Sequence, residues 1–344
     1  MNSKKWIKIW ISILMALPLV GAINYVVDPL SINKNQLLNL EKPIQTVRDE
    51  KVANVENINN IDNLILGSSR SMRVNPDDVN KFLNGSTYNF SVNSALPEDY
   101  YGILLYLEKV KKIPKNIIIG FDFYILNDNL GYDSRFISND KLNFIDASNS
   151  KGGSLANYLN IDTLKLSVKS VYHNIVGTKK TSNFDANNGF LDWSKKDDWS
   201  KKDDLIRAGK YKFLSSIKSD SLHYFENKYT RGRYSTFSDE RIGYLKSIKS
   251  FVKKHKITLY TYLTPVHCYH LAKIKNHELL SSTLTRFKSF LSTQFNYVDF
   301  MIQNKVNCKD ENYYDAVHKS YFVNKLIVND LFTKFPKYGV INPN

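Results

Sequence analysis

Apolar residues in this chain fall into short continuous blocks separated by stretches of helical period. Leu64-Ile65-Leu66 reads as a buried strand that runs into Gly67-Ser68-Ser69. A helix is predicted to open at Asn75-Pro76-Asp77-Asp78, with Asn as N-cap, Pro at the first helical position and acids in the first turn. Gly85 would stop it. A strand is predicted over 87–92, then a helix from Pro97 to about Lys112, with Ile103, Leu104, Leu107 and Val110 on one face. The apolar block 115–120 is the next strand, ending at Phe121-Asp122-Phe123. The alternation resumes with a helix over 238–255 and a strand over 257–263 that ends in Thr264-Pro265-Val266-His267. A helix over 278–293, a strand over 295–300 and a helix over 321–332 follow, and 336–344 reads as a loose tail. Strands alternating with helices predict an α/β fold: three layers, α/β/α, around a mostly parallel sheet.

Two stretches break this rhythm. Residues 128–235 are rich in Ser, Asn, Lys, Asp and Tyr and carry weak periodicity, so they read as an inserted polar subdomain or lid with some helix near 161–176. Within them Trp193–Asp198 is repeated as Trp199–Asp204, a duplication of the kind that surface loops tolerate, or a pair of Trp platforms for sugar rings. At the N-terminal side, Lys4, Lys5 and Lys8 lead into an apolar run over 9–27, roughly the length needed to cross a hydrocarbon core as a helix. Three readings fit it: a transmembrane signal-anchor over 1–29, a cleaved signal peptide, or a core helix. The anchor is favoured, with the lysines on the cytoplasmic side and the rest of the chain outside. The expected organisation is then an anchor over 1–29, a linker over 30–60, an α/β domain from 61–127 and 236–335, the insertion over 128–235 and the tail.

Composition changes this picture little. The 344 residues are 42% hydrophobic and 24% charged, as expected of a globular chain with a sizeable core. The net charge of +15 comes from lysines scattered among Asp, Asn and Ser, and no nucleic-acid motif accompanies them. Cys268 and Cys308 either pair or stay as two free thiols. His267-x-x-His270 lacks a carboxylate to complete a metal site, and no cofactor is called for.

The chemistry sits at the strand ends. A serine becomes a nucleophile when a base takes its proton and a third group orients the base. Ser69 follows the first strand, and Asp315-Ala316-Val317-His318 offers an acid and a base on a turn before the last helix. Arg70, with Arg73, is a candidate anion ligand beside the serine or a member of a surface or core-edge ion pair, and His267 is a candidate lining residue at the same edge.

Gly67-Ser68-Ser69, Asn89-Phe90-Ser91-Val92-Asn93-Ser94-Ala95 and Asp315-x-x-His318, in that order, resemble the blocks of the SGNH (GDSL-like) hydrolase superfamily. The similarity covers 63–125 and 255–332, and is greatest to membrane-anchored branches that acylate cell-surface polymers. It implies an SGNH/flavodoxin-like sheet, Ser69 as nucleophile, His318 as general base and Asp315 as its orienting acid. It also implies an oxyanion hole from the Ser69 amide and a second donor at Ser91, or at Ser94 in another register. Where the family carries a donor asparagine, this chain has Asp122, read either as a ligand for an acceptor hydroxyl or as a strand terminator, with Asn93 or Asn127 as a replacement donor. The expected activity is acyl esterase or O-acyltransferase chemistry on a cell-surface or secreted glycan, with a multi-span acyltransferase as partner. The alternative is a degenerate glycan-binding or assembly protein.

Overall fold

The computed structural model describes residues 3–29, 37–38, 40, 46–137, 139, 141–145, 158–159, 161–176, 184–191, 205, 208 and 210–342. Its elements run α1 (Ser3–Val27), α2 (Val47–Asn57), β1 (Asn63–Leu66), α3 (Pro76–Val79), β2 (Thr87–Asn89), α4 (Pro97–Lys109) and β3 (Asn116–Phe121). Next come α5 (Ser134–Ile137), α6 (Ile161–Val176), α7 (Phe213–Asn227), α8 (Asp239–Lys254) and β4 (Thr258–Leu263). The last are α9 (Cys268–Lys275), α10 (Glu278–Gln294), β5 (Tyr297–Asp299), α11 (Tyr321–Leu331) and β6 (Val340–Asn342). They divide into two units, 1–50 with 131–181, and 51–130 with 182–344. The Trp193–Asp204 repeat lies outside the described residues.

The larger unit holds a six-stranded sheet in the order β2-β1-β3-β4-β5-β6. The first five strands are parallel, and β6 pairs antiparallel to β5. The stretch read as a loose tail therefore supplies an edge strand. Asp330 fixes its approach by accepting the amides of Lys337, Tyr338 and Gly339. Every residue of β1 is buried, and successive side chains point to opposite faces, so the sheet is covered on both sides. One face carries Ile65, Ile118 and Val298 against Val323, Ile327 and Val328 of α11. Helices α4 and α8 pack together, locked where buried Arg241 donates to both carboxylate oxygens of Glu98. From β1 the chain goes to β2 on one side and later to β3 on the other, so the switch in strand order lies at the carboxyl end of β1, where ligands bind in open α/β sheets. Helix α2 occupies part of the stretch read as linker, burying Val52 and Val55.

The smaller unit follows another logic. Helix α1 packs along α6, and the α6 side chains buried are polar: Thr163, Ser167 and Ser170, spaced four and three apart on one face. Ser167 donates its hydroxyl to Asn24 Oδ1 (2.8 Å), and Asn24 Nδ2 donates to the Tyr158 carbonyl (2.6 Å). The apolar Ile161, Val168, Val171, Tyr172, Ile175 and Val176 stay exposed.

The transmembrane helix expected at 1–29 is corrected by this structure. The helix forms, but among the described residues no helix is long and apolar enough to cross a membrane. Ser12, Pro18 and Asn24 interrupt the apolar run, and buried Asn24 gives its amide and carbonyl to polar partners in the same unit.

Candidate active site

The turn after β1 is shaped by its own hydroxyls. Ser68 accepts the Arg70 amide on its Oγ (3.2 Å) and the Ser71 amide on its carbonyl (2.9 Å), a local turn of the kind serine favours. Ser71 donates to, or accepts from, the Tyr262 hydroxyl (2.8 Å) between β1 and β4. Gly67 and Gly120 flank Ser71 so closely that a Cβ at either position would run into its side chain. Ser68 is buried, whereas Ser69 is partly exposed, and the turn presents Ser69 alone.

His318 meets it from the far end of the domain. Ser69 Oγ lies 2.9 Å from His318 Nε2, and His318 Nδ1 lies 2.8 Å from Asp315 Oδ2. The other Asp315 oxygen accepts the amides of Val317 (3.0 Å) and His318 (2.7 Å). Burial opposes the Asp315 charge, but His318 and these two amides more than offset it and hold its carboxyl below the usual range. An ionised carboxylate can only accept, so Nδ1 carries the imidazole proton. The neutral ring then offers its Nε2 lone pair to the Ser69 hydroxyl, the tautomer a general base needs.

Neither a protein-family model nor a curated protein sequence matches the chain.

The loop carrying Asp315 and His318 is narrow. Tyr313 bridges to Lys319, and the Tyr314 amide donates to the His318 carbonyl (2.8 Å). Lys319 extends its Nζ to the Arg70 carbonyl (2.6 Å), which ties this loop to the nucleophile turn. Burial pushes that ammonium down to about 7. Below the loop, Tyr313 and Tyr338 both donate to Asn307 Oδ1, at 2.5 and 2.6 Å. Cys308, next to Asn307, is disulfide-bonded to Cys268 at the start of α9, which settles the pairing that spacing left open.

The residues expected to bind ligand or oxyanion fare differently. Arg70 is not at the surface: it is 1% exposed and points behind the serine, with Nη1 3.4 Å from Asp122 and donating to Thr264 (3.2 Å). The faces of Tyr124 and Tyr224 lie 5.7 and 5.0 Å from its guanidinium. Asp122 is fully buried, paired with Arg70 and accepting from Thr264, so it neither reaches an acceptor hydroxyl nor faces an oxyanion as a bare charge. The Arg70–Asp122 pair occupies the region where a donor asparagine was expected. Burial opposes the Arg70 charge, and Asp122 together with Tyr224, Tyr229 and Tyr124 outweighs it and holds the guanidinium firmly protonated.

Ser91 spends its amide on Asn89 Oδ1 (3.0 Å), and its hydroxyl is buried, so it is not an oxyanion donor in this structure. Asn127 donates its Nδ2 to the Lys228 carbonyl (2.8 Å), a structural commitment. Asn93 stays at the sheet edge, half-buried in the turn after β2. The Ser69 amide makes no hydrogen bond among the described residues, which leaves it available as a donor. His267 is corrected to a helix cap: its Nδ1 accepts the Tyr269 amide (3.1 Å), and its Nε2 lies 3.1 Å from Asp310. His270 is buried between the hydroxyls of Ser221 (2.8 Å) and Tyr229 (3.0 Å), and burial beside Arg70 pushes it down to about 3, so it stays neutral.

Sequence reasoning missed the contribution of α7, from the stretch read as a lid. Ser216 donates to the Tyr314 carbonyl (2.9 Å), as does Tyr211 just before the helix. Asp220 lies next to Asp315 on the wall of a cleft of about 740 Å³ that Lys210, Tyr211, Lys212 and His223 also line. A signal was present: Ile217, Ser221 and Tyr224 recur at helical spacing and are the buried positions of α7.

Proposed function

We propose that this chain is an SGNH-like serine enzyme of acyl-ester chemistry, acting as esterase or O-acyltransferase. The observation that carries the reading is the continuous Ser69–His318–Asp315 relay, with contacts of 2.9 and 2.8 Å. Ser69 Oγ attacks the acyl carbonyl while His318 Nε2 takes its proton. The tetrahedral oxyanion forms beside the Ser69 amide. The departing alkoxide takes the proton back from His318, leaving Ser69 acylated. Water, or an acceptor hydroxyl deprotonated by His318, then attacks the acyl-enzyme and frees Ser69. The acceptor in this reading is a hydroxyl of a cell-surface or secreted glycan, a substrate class that rests on the resemblance of the serine and histidine blocks. The Cys268–Cys308 bond supports an oxidising compartment outside the cytoplasm.

One observation favours the second reading, a glycan-binding protein on the same scaffold. With Ser91 committed to Asn89 and Asp122 to Arg70, two of the positions expected to complete the oxyanion hole supply no donor. The two readings separate on one experiment: full chain treated with p-nitrophenyl acetate, followed by mass spectrometry of the Ser69 peptide. The enzyme reading expects an acetyl adduct on Ser69 and turnover that S69A abolishes. Hydrolysis unchanged in S69A, with no adduct, sinks it and leaves the binding reading.

A further inference from the structure

We propose that Asp220 is a second carboxylate of the Ser69–His318–Asp315 site: a positioning residue that, through Asp315, strengthens the hold of His318 on the proton taken from Ser69. This role rests on the serine-enzyme reading above and assigns to that site a residue from outside its sequence blocks.

Helix α7 is fitted to the back of the relay. Ser216 and Asp220 stand one turn apart on one face; the first holds the Tyr314 carbonyl, and the second accepts the Ala316 amide and lines the same cleft as Asp315. The next inward residues continue the contact, Ser221 to His270 and Tyr224 over Arg70. Ser216 thus fixes the helix on the acid-bearing loop. Asp220 Oδ2 is buried with no hydrogen-bond partner among the described residues, while the cleft admits water and ions to the rest of the wall. The Ala316 amide donates to the Asp220 carboxylate, but burial and the Asp315 charge still oppose its ionised form.

Burial, then the Asp315 charge, push the Asp220 carboxyl up to about 7, against the opposing pull of His318 and Arg70. Tyr211, Tyr224 and Tyr229 are the other titratable groups set against it, and burial raises all three. Lys210, Lys212 and His223 line the open cleft. Below about 7 Asp220 is neutral and Asp315 alone balances an imidazolium on His318. Above it a second negative charge is added behind the ring. Proton transfer from Ser69 creates the imidazolium, so this charge favours the transfer and the site gains nucleophilic power as pH rises through neutrality.

The test is the rate at which an alkyl fluorophosphonate modifies Ser69 in the full chain from pH 5.5 to 9.5. The ratio of the wild-type rate to the D220N rate is expected to rise through neutrality, and D220E should follow wild type. D220N should then be slower by about 3- to 10-fold at pH 8.5 and equal to wild type at pH 5.5. A purely structural role would slow D220N by one factor at every pH, and that result, or an unchanged profile, overturns the proposal while leaving the Ser69 reading intact. No modification of wild-type Ser69 at any pH overturns the serine reading and the role of Asp220 together. As an independent readout, the ¹³C carboxyl spectrum of the chain labelled at Asp should contain one resonance titrating near neutrality that D220N removes; its absence from wild type also overturns the proposal.

Discussion

The two units of this protein spend their polar and apolar side chains in opposite ways. In the sheet-bearing unit, apolar residues such as Ile65 and Ile118 form the interior, and buried charges such as Arg70 and Asp122 are paired. In the α1–α6 unit the buried α6 side chains among the described residues are the polar Thr163, Ser167 and Ser170, joined by Asn24 of α1, while apolar Val168, Val171 and Ile175 are exposed. Helical period alone does not tell these apart, because both patterns repeat at the same spacing. What separates them is which stripe finds partners: sheet strands demand an apolar cover, whereas two lone helices can join through small hydroxyl side chains that let backbones approach closely.

The sharpest way to probe the sheet-bearing unit is at its site. S69A is expected to lower Ser69-dependent turnover by about a thousandfold or more while leaving thermal unfolding unchanged, measured by ester hydrolysis and calorimetry. Next in size is the buried pair behind the serine. R70M strands the Asp122 charge and should cost about 3–5 kcal/mol in denaturant unfolding, and R70M with D122L should recover most of it. A neutral outcome for R70M would mean that the pair is solvated. The contrast between the units is then tested directly: I118A should cost about 2–4 kcal/mol, while I175S should stay within about 0.5 kcal/mol, since Ile175 is 77% exposed. Equal costs would erase the distinction. Asn24→Ala should cost about 1 kcal/mol through its lost bonds to Ser167 and Tyr158.

Acidification gives the smallest contrast, and its sign is fixed. Asp315 has a folded carboxyl below its ordinary value, so its stabilising contribution is complete above that value and is lost as pH falls through the folded one. D315N should therefore flatten the acid limb of the stability curve of the sheet-bearing unit.

Much of the scaffold was readable because parallel strands bury both faces and announce themselves as runs such as Ile117-Ile118-Ile119. The serine, histidine and acid were readable because each stands where an element ends. Of the two readings open for Arg70 and Asp122, the structure shows the ion pair and the strand end: Arg70, beside the exposed Ser69, turns inward where a partner carboxylate and two tyrosine faces receive it. Lys319, adjacent to His318, carried no local pattern that showed its reach to the Arg70 carbonyl. Asp220 was hidden for a third reason: the helical spacing of Ile217, Ser221 and Tyr224 marks a buried face but not the loop that face meets. The short β6 strand was missed because three residues are too few to show alternation.

The disulfide closes a covalent ring inside the stretch that separates Ser69 from His318. The Cys268–Cys308 ring encloses α9, α10 and β5, with Ser69 upstream and His318 downstream. Closing a ring of that length removes about 4 kcal/mol of freedom from the unfolded chain in the loop-entropy picture. Reduction is therefore expected to lower the stability of the sheet-bearing unit, measured by denaturant unfolding with and without a thiol reductant.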